Sequence, residues 1–423
     1  FISVNRTGTK PESLNDFLAI GNVIEVSKLS PGTTDYALSQ TPEAQAALIS
    51  VSPKDGAIKA LIGGYDFSLS HYNRATQAKR QPGSNFKPFI YLSALENGAT
   101  ASTLINDAPI VFDDKNLEAT WRPENSSGKF YGPTRIRKAL YNSRNLVSIR
   151  LLQETGVGNA LKTASRFGFD KADLPRDLSL ALGNASITPL TLAIGYSRIA
   201  NGGYDIDSYL IDRIEDYEGN IIFQAKPKTV CIDCPIEIEA KTDRDIPQDV
   251  ERDSTPPPAQ RIADERAIYI LHSMLKDVIT QGTGRRARSL NRSDLAGKTG
   301  TTNDQKDAWF SGFNTQLQTT VWVGFDQPSS LGRREYGASA ALPIWMDYMK
   351  IALKGQAAAH MLQPDGIVTA RIDRETGKVA SPGAQNSMFE IYRKENTPKE
   401  ETTNSQSNKT GSSIQDIYLE DIY

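Results

Sequence analysis

"DLAGKTGTTNDQKDAWFSGFNTQLQTTVWVGFD", residues 294–326, is the stretch that decides the fold. It divides into three short β-rich pieces, with turn residues at Asn303-Asp304 and at Asn314. A second pair of strands lies far upstream. "AALISVSPKDGAIKALIGG" (46–64) sets two apolar, β-branched runs about Pro53-Lys54-Asp55-Gly56, which is hairpin chemistry. Between the two strand groups the pattern is helical. "PTRIRKALYNSRNLVSIRLLQETG" (133–156) carries apolar residues at helical spacing, is interrupted at "NSRN", and ends on Gly156 as a C-cap. "ITPLTLAIGYSRIANGG" (187–203) has Thr188 as N-cap, Pro189 in its first turn and Asn-Gly-Gly at its end. "ERAIYILHSMLKDVITQG" (265–282) is a further helix. Strands at both ends and helices between them imply one sheet assembled from distant segments, with helices packed on it, a mixed α/β (α+β) domain.

The flanks differ. Residues 1–40 are polar with short β pieces such as "GNVIEVSKL" (21–29), and read as part of a small β domain or a linker. "AKTDRDIPQDVERDSTPPPAQ" (240–260) is charged and Pro-rich, so residues 226–260 read as an insert or loop. Residues 393–423 read as a polar, disordered tail. The 423 residues carry a net charge of −2, with 39% apolar and 23% charged residues, so the composition is globular and gives nucleic-acid binding no electrostatic support. No window reaches 18 consecutive apolar residues. The chain begins at Phe1 amid apparent structure, so it reads as an excised piece whose targeting or anchoring segment lies upstream. Cys231 and Cys234 supply half a tetrahedral zinc site, and His71, His272 and His360 are scattered. No metal or cofactor is expected, and the cysteines read as a local disulfide or as two thiols.

The chemistry starts at "RQPGSNFKPFIYLSAL" (80–95). Ser84 follows a Pro82-Gly83 turn and opens an apolar helix, and Lys87 lies one turn on, on the same face. A serine hydroxyl is a poor nucleophile until a base takes its proton. A lysine serves only when neutral, so its ordinary pKa of about 10.4 must be brought down by roughly 3 pH units, or about 4 kcal/mol. Burial does part of this and a second cation does more. The spacing alone says little, because a lysine follows a given serine at this distance about once in sixteen. Ser126–Lys129 and Ser273–Lys276 repeat it, but one lies in a loop and the other in the middle of a helix. The second cation is Lys298 in "AGKTGTT" (296–302). Gly300 permits close backbone approach, alternation puts Thr299 and Thr301 on one face, and Thr302 adds a hydroxyl. Such a strand edge can pair with an extended peptide and grip a terminal carboxylate. The copy at Lys409-Thr410-Gly411 has no core around it. The third piece is Ser143 and Asn145 in "YNSRNLVSIR", an interhelical turn in which a serine could relay a proton and an asparagine could hold an amide.

Taken in order, Ser84-x-x-Lys87, Ser143-x-Asn145 and Lys298-Thr299-Gly300 resemble the penicillin-recognising serine D,D-peptidase superfamily. "NSSGKFYGPTRIRKALYNSRN", "LALGNASITPLTLAIGYSRIANGG", "AGKTGTTNDQKDAWFSGF" and "GASAALPIWMDYM" extend the resemblance to the transpeptidase domain of class A (bifunctional) penicillin-binding proteins, over residues 41–392. The resemblance implies a central antiparallel sheet covered by helices with a helical subdomain, residues 1–40 being a remnant of a small OB-like domain. It implies that Ser84 attacks the penultimate D-Ala carbonyl of a peptidoglycan stem peptide, with Lys87 as base. Ser143 shuttles the proton, Asn145 holds a substrate amide, and Lys298, Thr299, Gly300, Thr301 and Thr302 take up the substrate end. The backbone N–H groups of Ser84 and Thr301 form the oxyanion hole. An amine of a second stem peptide accepts the acyl group, and β-lactams acylate the same serine. It further implies no cofactor, a place on the periplasmic side of the inner membrane, and cell-wall synthesis proteins as partners.

Three relatives of the same chemistry compete. A β-lactamase needs a Ser-Asp-Asn middle motif and a downstream glutamate base. Here Arg144 stands in the middle, and no glutamate occurs between Glu154 and Glu215. A D,D-carboxypeptidase shares the acyl-enzyme and differs only in using water as acceptor, which residues alone do not separate. A β-lactam-binding sensor would form the adduct without processing a peptide. A Ser-His-Asp hydrolase is disfavoured by the lack of G-x-S-x-G, and "GTGRRA" (282–287) follows a helix and not a strand, so it is no dinucleotide fingerprint.

Overall fold

A computed structural model describes residues 13–30, 32–111, 121–231 and 256–399. Two hairpins come first among the strands: β1 (Glu25–Lys28) with β2 (Tyr36–Ser39), and β3 (Gln45–Val51) with β4 (Ile58–Ile62). One turn, α1 (Arg74–Gln77), and a 3₁₀ turn (Gly83–Phe86) lead into α2 (Lys87–Glu96). The hairpin of β5 (Leu104–Asp107) and β6 (Gly132–Arg135) precedes α3 (Ile136–Tyr141), α4 (Asn145–Thr155), α5 (Val157–Arg166) and α6 (Pro189–Ala200). After β7 (Arg213–Glu215) and β8 (Ile221–Gln224), α7 (Glu265–Thr280) runs into β9 (Ala296–Thr301), β10 (Asp307–Phe313) and β11 (Gln318–Gly324). Then come α8 (Leu342–Ala352) and the hairpin of β12 (Ile367–Asp373) with β13 (Ser387–Arg393).

The five-stranded sheet has the order β4-β3-β11-β10-β9 and is antiparallel throughout. Both strand groups of the sequence therefore meet in it, with β3 beside β11. Alternation divides their side chains between two layers. Ala47, Ile49, Val51, Trp309, Phe313 and Trp322 enter the larger core, with α2, α6 and α7. Leu48, Phe310 and Val321 enter the smaller one, under α8, where Phe310 meets the Trp345 ring edge-on at 4.9 Å. Each fully buried aromatic of this kind stabilises by about 1.5–3 kcal/mol.

α2 is the axis of the larger core. Every residue from Lys87 to Leu95 is buried, as expected of a helix that is apolar on all sides. Phe89 sits in an aromatic cluster with Phe86, Phe167, Phe169 and Tyr196. The helix ends fall where the residues place them. Thr188 Oγ1 accepts from Thr191 N at 3.1 Å with Pro189 in the first turn, and Gly156 closes α4. Asp264, outside the quoted helical stretch, caps α7 through Arg266 N and Ala267 N.

The flanks are partly described. β1 and β2 pair only with each other. Cys231 is disulfide-bonded. Cys234, most of the 226–260 insert, the tail beyond residue 399 and Lys409-Thr410-Gly411 lie outside the described residues. Among the described residues no helix is long and apolar enough to cross a membrane, and no group of three or more His, Cys, Asp and Glu could hold a metal ion.

Candidate active site

Ser84 lies in the 3₁₀ turn, and Lys87 is the first residue of α2, so the helix proper opens at the lysine and not at the serine. Residues three apart eclipse in a 3₁₀ turn, which keeps the two on one side. The Lys87 N–H donates to the Ser84 carbonyl and joins turn to helix. The turn is pressed against β9. A Cβ on Gly300 would lie 2.5 Å from the Pro82 carbonyl oxygen, and one on Gly83, at φ +55°, would lie 2.6 Å from the Thr301 carbonyl oxygen. Only glycine permits that approach. The segment before Ser84 is tied down as well. Trp309 Nε1 donates to the Gln81 carbonyl at 2.8 Å, and the buried Arg80 guanidinium pairs with Asp307 at 2.7 Å. Asn85 points inward, donating to Ser311 Oγ and accepting from the Tyr196 hydroxyl.

Lys87 and Lys298 both have 0% exposure. Lys87 Nζ donates to Asn145 Oδ1 at 2.8 Å, to the Ser143 carbonyl at 2.9 Å and to the Arg144 carbonyl at 3.2 Å. Lys298 Nζ donates to Ser143 Oγ and to the Thr299 carbonyl, both at 2.9 Å. Ser143 therefore bridges two buried amines, one through its carbonyl and one through its hydroxyl. Burial holds Lys87 well below the ordinary lysine range. Lys298 and, more weakly, Arg144 add to this, while Asp107 acts in the opposite sense. Burial brings Lys298 down to about 7. All three contacts of Lys87 are acceptors and match the three hydrogens of an ammonium; a neutral amine would keep two of them and have a lone pair for a proton.

The rest of the expected set divides. Thr299 Oγ1 shares a hydrogen bond with Thr283 Oγ1 at 2.7 Å, and Thr301 Oγ1 accepts from Gly337 N at 3.0 Å. Thr302 turns away. Its hydroxyl accepts from Asp307 N at 2.9 Å and closes the β9–β10 turn, so it is not gathered with the others. The Asn145 amide accepts from Lys87 Nζ at Oδ1 and donates one Nδ2 hydrogen to the Glu124 carbonyl, so its oxygen faces the lysine and its second hydrogen is left for another acceptor. Ser143 has φ +60°, an uncommon backbone for a serine. Asp107, Asn125, Thr283 and Gly337 join the site without having been singled out as site residues. Asn125 and Gly337 stand in stretches quoted for the resemblance, yet nothing local marks them. Of the rival serines, Ser126 lies in an exposed turn and Ser273 accepts from Arg137 on α7.

A partly buried serine one turn before a buried lysine, a second buried lysine, and a serine bonded to both amines make an arrangement suited to moving a proton off a hydroxyl. Known proteins carry the same domain. The chain is 49% identical over 418 residues to penicillin-binding protein 1A of Pseudomonas aeruginosa, covering 94% of this chain and 51% of that one. It is 47% identical over 334 residues to penicillin-binding protein 1A of Neisseria lactamica, covering 79% of this chain and 39% of that one. The chain thus spans about half the length, or less, of these curated relatives. The crystal structure of penicillin-binding protein 1A from Haemophilus influenzae superimposes with a TM-score of 0.81 at 36% identity, covering 89% of this chain and 57% of that one. Residues 46–350 match the family model of the penicillin binding protein transpeptidase domain. The chain therefore belongs to the penicillin-binding protein transpeptidase family.

Proposed function

We propose that this chain is the D,D-transpeptidase unit of a cell-wall synthase, working through an acyl-enzyme on Ser84. Ser84 Oγ attacks the carbonyl of the penultimate D-Ala of a stem peptide, and its proton passes to the neutral Lys87 amine. The Ser84 and Thr301 N–H groups receive the developing oxyanion, and Thr299, Thr301 and charged Lys298 hold the terminal carboxylate. The Ser143 hydroxyl, hydrogen-bonded to Lys298, hands a proton to the departing D-Ala nitrogen and is reprotonated by the proton that Lys87 took from Ser84, which leaves Lys87 neutral again. The amine of a second stem peptide then takes the acyl group, and Ser84 regains its proton. A β-lactam acylates Ser84 in the same manner, but its leaving nitrogen stays tethered. The observation that carries this reading is the bridge: Ser143 joins two fully buried lysines, one of them held far below its ordinary pKa.

We assign the described part of residues 1–40 to a small β domain or a linker, in keeping with β1 and β2 pairing, among the described residues, only with each other. The domain would work at the periplasmic face of the inner membrane, held by a segment upstream of this chain, among other cell-wall synthesis proteins. Intact-mass analysis after benzylpenicillin, with peptide mapping, tests the reading. One adduct is expected, on Ser84, and none in Ser84→Ala. Incubation with a D-Ala-D-Ala donor and a labelled amine should yield the amine adduct. Release of shortened peptide alone would make the enzyme a carboxypeptidase.

A further inference from the structure

Asp107, at the end of β5, is fully buried, and none of the roles above uses it. Its Oδ1 accepts from Asn125 Nδ2 at 2.7 Å. Its Oδ2 has no hydrogen-bond partner, and Arg144 Nε stands 3.9 Å away. A buried carboxylate satisfied on one side only is costly, so a fold that keeps one invites the question of what it does.

The hydrogen bonds continue from it. Asn125 Oδ1 accepts from Asn145 N at 2.8 Å and from Leu146 N at 3.4 Å. These are the first amides of α4, whose own N-cap, Arg144, offers no side-chain bond. Asn125 thus caps the helix from a loop 20 residues upstream, satisfying donors that the helix leaves open. Asn145 in turn donates from Nδ2 to the Glu124 carbonyl and accepts from Lys87 Nζ at Oδ1. An amide can be turned either way unless its neighbours decide. Here acceptor-only groups decide both times: the Asp107 carboxylate at 2.7 Å and the Lys129 carbonyl at 2.9 Å together draw the NH₂ of Asn125, and the Glu124 carbonyl draws the NH₂ of Asn145. The oxygens must then face the α4 amides and the Lys87 amine.

We propose that Asp107 and Asn125 are positioning residues for acylation: Asp107 orients the Asn125 amide, Asn125 anchors the 143–146 turn, and that turn holds the Lys87 amine in place. This rests on the role given to Lys87 above. The charged groups acting on Lys87 are Lys298 from β9, Arg144 from the turn and Asp107 from β5. Tyr91, on the same helix, is pushed well above its ordinary range by burial and stays neutral. The two cations favour the free amine, and Asp107 favours the ammonium.

The test is the second-order rate of Ser84 acylation by benzylpenicillin, measured on the whole chain from pH 5 to 9. Asp107→Ala and Asn125→Ala should each slow acylation about 10- to 100-fold at pH 7. Asp107→Asn can still present an oxygen to Asn125 and should stay within about 5-fold of wild type on the plateau. Its acid limb should move to lower pH by about half a unit or more, because the charge favouring the ammonium is gone. A purely structural role would leave that limb where it is. Should the alanine variants fail to fold, Asp107→Asn decides alone. Alanine variants that acylate at the wild-type rate, or an Asp107→Asn limb coincident with wild type, would overturn the proposal. A wild-type chain that takes no label at Ser84 would instead sink the transpeptidase reading.

Discussion

Two serines of the site sit on turns that lead into helices, Ser84 before α2 and Ser143 before α4, and the turns are held by different means. The Ser84 turn is held first by close backbone packing, with side chains fastening the residues on either side of it. Glycines at 83 and 300 let it lie directly on β9, and an indole N–H from β10 fastens the Gln81 carbonyl. The Ser143 turn is held by side chains brought from three other segments: Asn125 and Lys87 bond its amides and carbonyls, and Lys298 bonds its hydroxyl. It also carries an uncommon φ at Ser143 itself. The nucleophile thus stands chiefly on steric contact between turn and strand. The proton relay stands on a support whose charges can change, which suits a group that must hand a proton on.

The comparison can be broken at its stiff end first. Gly300→Ala puts a methyl where the Pro82 carbonyl and the Asn85 side chain lie within 3 Å, so the Ser84 turn must lift from β9. Overpacking of this kind should destabilise by about 1–3 kcal/mol in a denaturant titration. Acylation by benzylpenicillin should fall about 100-fold, because attack needs the serine and the oxyanion donors in register. Wild-type acylation would show that the backbone contact does not position the nucleophile.

At the side-chain end, Ser143→Gly should behave differently. Glycine takes φ +60° without strain, which offsets the lost bond to Lys298, and stability should change by less than about 1 kcal/mol. Transpeptidation should still drop about 100-fold with the relay hydroxyl gone. Equal losses of stability and rate would mean that the hydroxyl serves the fold and not the reaction.

The smallest effect is a pH dependence. Lys298, brought down to about 7 by burial, is charged below that value and neutral above it. A donor bearing a terminal carboxylate needs the charged form, so kcat/KM should fall as the pH rises above about 7, approaching tenfold per unit. A C-terminally amidated donor should react poorly but lack this alkaline fall. Parallel profiles for the two donors would remove Lys298 from carboxylate binding.

How much of this could be read beforehand differs between the same regions. The Ser84 stretch is legible because its parts are contiguous: a Pro-Gly turn, a serine, a lysine and an apolar helix in sixteen residues. The β9–β11 strands are legible from their alternation and turn residues. One site residue stands apart from its motif: strand alternation ends at Thr302, whose hydroxyl closes a turn on Asp307. Asn145 accepts from Lys87 and donates one hydrogen to the Glu124 carbonyl, which leaves its second amide hydrogen for another acceptor. Asp107, Asn125 and Thr283 left no trace in local pattern, since a lone polar residue in a loop looks the same whether or not it meets a helix end.

The order of residues alone determined which segments are strands and helices, where the helices stop, and that a serine and a lysine lie one turn apart. Those properties come from side-chain period, caps and glycine, all decided within a few residues. Tertiary structure alone decided that Lys298 comes within one serine of Lys87, that both amines are dry, and that the Asp107 carboxylate at the end of β5 acts on Lys87. Each of these depends on desolvation and on contacts between segments as far apart in sequence as Lys87 and Lys298, and the Coulomb and burial effects that shift a pKa act through space, not along the chain.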